Sequence, residues 1–305
     1  MPERGAGTGE SFRKGRLEHR RGYGILTAMA TGEVQGRLTG QAVLAATKVP
    51  LQITVWFWLT KILSTGMGEA FADWMNFSRG PFFAGAVGTV ILVVAMVLQF
   101  RSRRYNTWIY WFAVVAVSIW GTLAADGMHI ELHVPYAYSS AFYAAALTLI
   151  FVVWYLTERT LSIHSINTPR REVFYWAAVL ATFALGTALG DFSAITLKLG
   201  FFSSGVLFAV VIAVPAIAYR GFGLNPVLAF WAAYTVTRPL GASFADWMGV
   251  THRLGGLGWG RGPVSIYMTI PIIALVAFMA ISKVDMDPPD SLALPRRPAA
   301  RHRAA

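Results

Sequence analysis

Long apolar runs alternate with short polar breaks along most of this chain. Eight runs of about 20 residues fall near 52–75, 81–100, 107–127, 136–157, 172–194, 201–219, 226–248 and 263–282. At 1.5 Å rise per residue, such a run matches a hydrocarbon core of roughly 30 Å. The pattern predicts an all-α integral membrane protein with eight transmembrane helices over residues 48–284. Two polar, Arg-rich stretches flank it, 1–47 and 285–305, and are expected to be disordered basic tails.

A second pattern lies on top of the first. Residues 68–75 read GEAFADWM and residues 241–248 read GASFADWM. Aligned on the Asp, four segments share the spacing aromatic–Trp–x9–Gly–x4–Asp: 57–73, 110–126, 175–191 and 230–246. Each is followed by another apolar run. The chain therefore divides into four helical hairpins, about 48–104, 105–159, 170–221 and 225–284. An even number of helices per unit sets the four motif helices parallel, with pseudo-symmetry about the membrane normal.

Composition agrees with the membrane reading. The chain is 55% hydrophobic and 13% charged, where soluble domains carry about a quarter charged residues. The net charge of +11 would suggest nucleic-acid binding in a soluble protein. Here the charge sits in the tails and in alternate breaks, as membrane-flanking charge does. One side collects both tails with Arg101, Arg103, Arg104, Arg159, Arg170, Arg171, Arg220 and Lys283. The other holds Arg79, Lys198, Arg253 and Arg261. By the positive-inside rule both termini are cytoplasmic, and a bacterial inner membrane is the expected location. The bilayer is the expected partner, and nucleic acid is not. There is no Cys, which excludes disulfides and thiolate chemistry.

The repeat carries the candidate chemistry. Gly68, Gly121, Gly186 and Gly241 lie in small-residue columns that let helices approach closely. Trp58, Trp111, Trp176 and Trp231 lie about 22 Å from the motif Asp and are read as interface anchors or packing residues. Asp73, Asp126, Asp191 and Asp246 recur near the C-terminal ends of their helices, where a carboxylate opposes the helix dipole. Around a common axis they would form an acidic vestibule. The first and last copies add charge. Glu69 takes the slot filled by Thr122, Thr187 and Ala242, Lys61 lies two turns before it, and Arg238 precedes Pro239, where a bend is expected. Lys61 and Arg238 are read as countercharges to Glu69. Outside the third helix, DGMHIELH (126–133) offers His129, Glu131 and His133 as a weak metal-ligand set.

The stretches TLSIHSI (160–166), RREVFYW (170–176), FALGTALGD (183–191) and TRPLGASFADW (237–247) resemble a bacterial family of membrane proteins. That family is built from four tandem two-helix repeats of unknown function, each with a motif Trp. The resemblance spans roughly 47–283 and implies the four-hairpin architecture, not an activity.

No P-loop, dinucleotide fingerprint, Gly-x-Ser-x-Gly or His-Glu-x-x-His is present, so no enzyme is expected. The function expected from the acids is a small-cation transporter or channel-like permease, for a divalent metal ion or coupled to protons. The alternative is a membrane scaffold or sensor that binds a partner through its basic cytoplasmic loops.

Overall fold

The computed structural model describes residues 47–286. Of the tails expected at 1–47 and 285–305, residues 1–46 and 287–305 lie outside the described residues. Among those described, every regular element is helical: α1 (Val55–Arg79), α2 (Pro81–Arg101), α3 (Thr107–Asp126), α4 (Tyr136–Glu158), α5 (Pro169–Asp191), α6 (Phe201–Val211), α7 (Ala213–Phe222), α8 (Pro226–Gly249) and α9 (Arg261–Ser282). α6 and α7 are one span interrupted at Ile212. Pro215 explains the break: it offers no N–H to the Val211 carbonyl, and its ring crowds that turn. The bend expected at Pro239 does not interrupt α8, which runs through it.

Each motif helix starts on a side-chain cap. Thr54, Asn106, Thr168 and Asn225 accept backbone N–H groups of the first turns of α1, α3, α5 and α8, satisfying donors that have no partner within the helix. The motif helices also end alike. A left-handed residue stands seven positions after the Asp in three copies: Gly80, His133 and Lys198. In copies two and three a π turn, Gly127–Glu131 and Phe192–Thr196, follows the Asp directly.

Among the described residues six helical spans are long and apolar enough to cross a membrane: Pro81–Arg101, Thr107–Glu131, Tyr136–Glu158, Pro169–Thr196, Phe201–Phe222 and Arg261–Ser282. The other two of the eight expected are α1 and α8. They are long enough, and they are the helices that carry Lys61, Glu69 and Arg238. Their polarity is buried, as the packing shows.

The motif helices form a closed inner ring in which α1 packs on α3, α3 on α5, α5 on α8, and α8 on α1. The remaining spans form an outer layer with largely exposed, apolar faces, compatible with lipid. Each outer span packs chiefly on the motif helix of the next repeat: α2 on α3, α4 on α5, α6 and α7 on α8, and α9 back on α1. The hairpin expected as the structural unit is thus opened, and neighbouring repeats interlock.

The ring is tied at its N-terminal end. Leu51 and Gln52 donate to the Asp285 carbonyl at 2.9 and 3.2 Å. The Asp285 carboxylate accepts from the Tyr105 hydroxyl at 2.5 Å and Thr107 at 3.2 Å. Lys48 pairs with Glu172 at 2.7 Å. Asp285, assigned by sequence to a tail, is buried.

Candidate functional site

Four layers follow the ring axis, each drawing one position from every repeat. The first is aromatic. Phe57 meets Trp111, Tyr110 meets Trp176, Tyr175 meets Trp231 and Phe230 meets Trp58, with ring centroids 5.4, 5.7, 6.0 and 5.8 Å apart. The aromatic residue of each copy covers the Trp of the next. Trp111, Trp176 and Trp231 are buried, so these rings pack the interior and close one end of the axis.

One turn further along lie Lys61 and its repeat equivalents Val114, Val179 and Tyr234. Lys61 is fully buried. Its Nζ lies 3.9 Å from the Phe183 ring centroid and 4.2 Å from that of Tyr234, and has no hydrogen-bond partner among the described residues. The expected pairing with Glu69 is not made. Eight residues along a helix separate the two by about 12 Å, and two aromatic faces surround the ammonium instead.

The third layer holds the motif glycines. A Cβ on Gly68 would strike Ser118, one on Gly121 would lie 2.6 Å from the Phe183 Cβ, one on Gly186 would strike Arg238, and one on Gly241 would strike Thr65. Each Gly receives the residue three before the Gly of the next copy. Thr65, Ser118, Phe183 and Arg238 are therefore equivalent positions, all fully buried.

Arg238 uses its place in that layer to reach the axis. Its Nη2 contacts the Glu69 carboxylate at 2.6 Å, the Thr187 hydroxyl at 2.8 Å and the Thr122 hydroxyl, while Nη1 donates to the Thr65 carbonyl at 2.8 Å. Thr122 and Thr187 also donate to Glu69 Oε2 at 2.9 and 3.1 Å. Glu69, Thr122 and Thr187 occupy one repeat slot and meet because that slot faces the axis. The ligands of Glu69 were legible in the repeat alignment, but only once the ring is known to close.

The fourth layer is acidic. Asp73 accepts from Arg261 Nε at 2.7 Å. Asp126, Asp191 and Asp246 each lie close enough to other acids of this layer, and to Glu69, to feel their charge. Asp126 keeps a buried carboxyl oxygen without a hydrogen-bond partner among the described residues. Arg261, read from sequence as an outer-loop charge, opens α9 and lies against this layer, because α9 wraps back onto α1. That contact is not legible without the interlocked packing.

The metal-ligand set at 126–133 is corrected. His129 Nδ1 bonds the Val134 carbonyl at 2.7 Å and its ring stacks on Tyr136 at 3.4 Å. His133 occupies the left-handed terminating position with Nδ1 3.1 Å from the Glu131 carbonyl, and Glu131 is exposed. Among the described residues no three His, Cys, Asp or Glu side chains are placed to hold a metal ion.

Fold and axis together define an all-helical protein of four interlocked repeats, whose apolar spans mark it as multi-pass. The chain belongs to the family described as Repeat of Unknown Function (DUF347), which matches residues 56–105, 109–160, 174–222 and 229–285. No curated protein and no solved structure matches it.

Proposed function

We propose that the protein is a proton-coupled small-cation transporter or channel-like permease of the bacterial inner membrane, with both termini cytoplasmic. The observation that carries the reading is the meeting of five acids from four repeats around one axis. Acids inside membrane bundles typically face cavities and mark ion or proton pathways. Asp73, Asp126, Asp191 and Asp246 form the mouth that attracts the cation. Glu69, reached next, is the exchanging carboxylate, and Arg238 is the countercharge it must release. An Arg on the axis opposes free cation flow, and on this reading Arg238 and the aromatic layer beyond it would close the path. The mouth does not gather a dehydrating ligand set, which favours protons or a hydrated cation over a stripped divalent metal. The scaffold reading draws less support. Arg170 and Arg171, in the first turn of α5, are engaged by Glu158 at 3.3 and 2.8 Å.

Proteoliposomes with a trapped pH-sensitive dye test the reading. The parent chain is expected to move protons when a gradient of Na⁺, K⁺ or Mn²⁺ is imposed. Glu69→Gln should abolish the movement, and Asp126→Asn should slow it about tenfold or more. No flux from the parent, or flux undiminished in Glu69→Gln, would sink the proposal.

A further inference from the structure

The burial of the motif Trp fails in one copy, and a pocket opens there. Trp111, Trp176 and Trp231 are buried, whereas Trp58 is only half-buried. Trp231 shows how a motif Trp is covered: Phe151 and Trp154 of α4 lie against it, with centroids 5.0 and 5.8 Å away. α4 is the outer span two repeats before Trp231. The span in that relation to Trp58 is the one broken at Ile212. Beside the break lies a cavity of about 780 Å³, within the usual range for small-molecule sites.

Its walls are apolar: Trp58 from α1, Pro215 and Tyr219 from α7, and Val227, Phe230 and Ala233 from α8. One end is polar and basic, with Ser162, His164 and Arg220, and among the described residues no acid lines the cavity. Arg220 is exposed and makes no ion pair among the described residues. His164 is steadied by a contact of Nε2 with the Leu51 carbonyl at 3.0 Å. An apolar slot ending in an unpaired guanidinium and an imidazole, beside lipid-facing helices, has the polarity of one amphiphile with a negative head.

We infer that this cavity binds a single anionic glycerophospholipid, its phosphate at Arg220 and His164 and an acyl chain along Trp58 and Phe230. Basic pockets between membrane helices hold anionic headgroups in this way. The lipid replaces the cover that the broken span withholds from Trp58. The inference rests on the membrane part of the proposed function and not on cation movement.

The test is native mass spectrometry of the full-length chain in mild detergent, equilibrated with equal amounts of phosphatidylglycerol and phosphatidylcholine. One phosphatidylglycerol per chain is expected, retained over phosphatidylcholine by about fivefold or more, the scale of one basic contact. Arg220→Gln should bring the two lipids close to parity. Ala233→Trp, which fills the slot, should remove the retained lipid, while Ala145→Trp on the exposed face of α4 should keep it. Equal retention of both lipids by the parent, or undiminished retention by a folded Ala233→Trp chain, overturns the inference. Should Ala233→Trp not fold, an unchanged preference in Arg220→Gln overturns it alone. Flux in proteoliposomes is read separately, so either idea can fail without the other.

Discussion

At the scale of single residues, the axis concentrates its polarity in one shared cluster. Glu69 Oε2 takes bonds from Arg238, Thr122 and Thr187, all buried. Removing one member of such a pair leaves a charge without a partner in a medium that cannot solvate it. Glu69→Gln or Arg238→Gln alone should cost about 3–5 kcal/mol, while the double replacement Glu69→Leu with Arg238→Met should recover most of that. Thermal unfolding in detergent reads the difference; a double variant that loses as much as the two single variants together would show the pair to be uncoupled. The sequence already singled out Glu69, the odd member of a repeated slot, and Arg238, the extra charge of the last copy. Lys61 misled by the same logic: a charge inside a helix suggests an ionic partner, and neither composition nor spacing reveals two aromatic faces arriving from α5 and α8.

At the scale of the helix, close approach is the governing feature. Gly241 faces Thr65 and, at 2.7 Å from an added Cβ, the Ile62 carbonyl. Backbone cannot rotate away as a side chain can. Gly241→Ala should therefore destabilise by about 1–3 kcal/mol through overpacking. Gly85, with open space around it, should tolerate Ala and gain slightly from helix propensity. Comparing the two melting curves separates a packing Gly from an incidental one. The spans and the motif helices were legible, since apolar length and a fixed spacing are local signals. The choice of neighbour was not. A connection as short as Gly80 leaves α2 free to lean on α1 or on α3, and only surface fit decides between them.

At the scale of the whole molecule, the ring depends on a polar tie at its aromatic end. Tyr105 sits in the break between α2 and α3 and donates to Asp285 at 2.5 Å. Burial first, and then the Asp285 charge, hold its phenol well above the ordinary value near 10. The native state keeps a proton that the unfolded chain gives up. This contribution is therefore whole below about pH 10 and is lost as pH rises further. The parent chain should lose stability more steeply above about pH 10 than Tyr105→Phe, as followed by melting temperature across an alkaline series. Nothing local in the sequence pointed to this tie, because Asp285 lies in a polar stretch and its partners lie far away along the chain.

The return of α9 onto α1 has a consequence for synthesis. α1 leaves the ribosome well before its neighbours α8 and α9, so the segment bearing Lys61, Glu69 and Asp73 waits unenclosed until those helices follow. A circle of interlocked units also has no privileged first member. Genes that begin at the second or third repeat and join the old ends by a linker would change how long the charged helix waits, while leaving the finished circle the same.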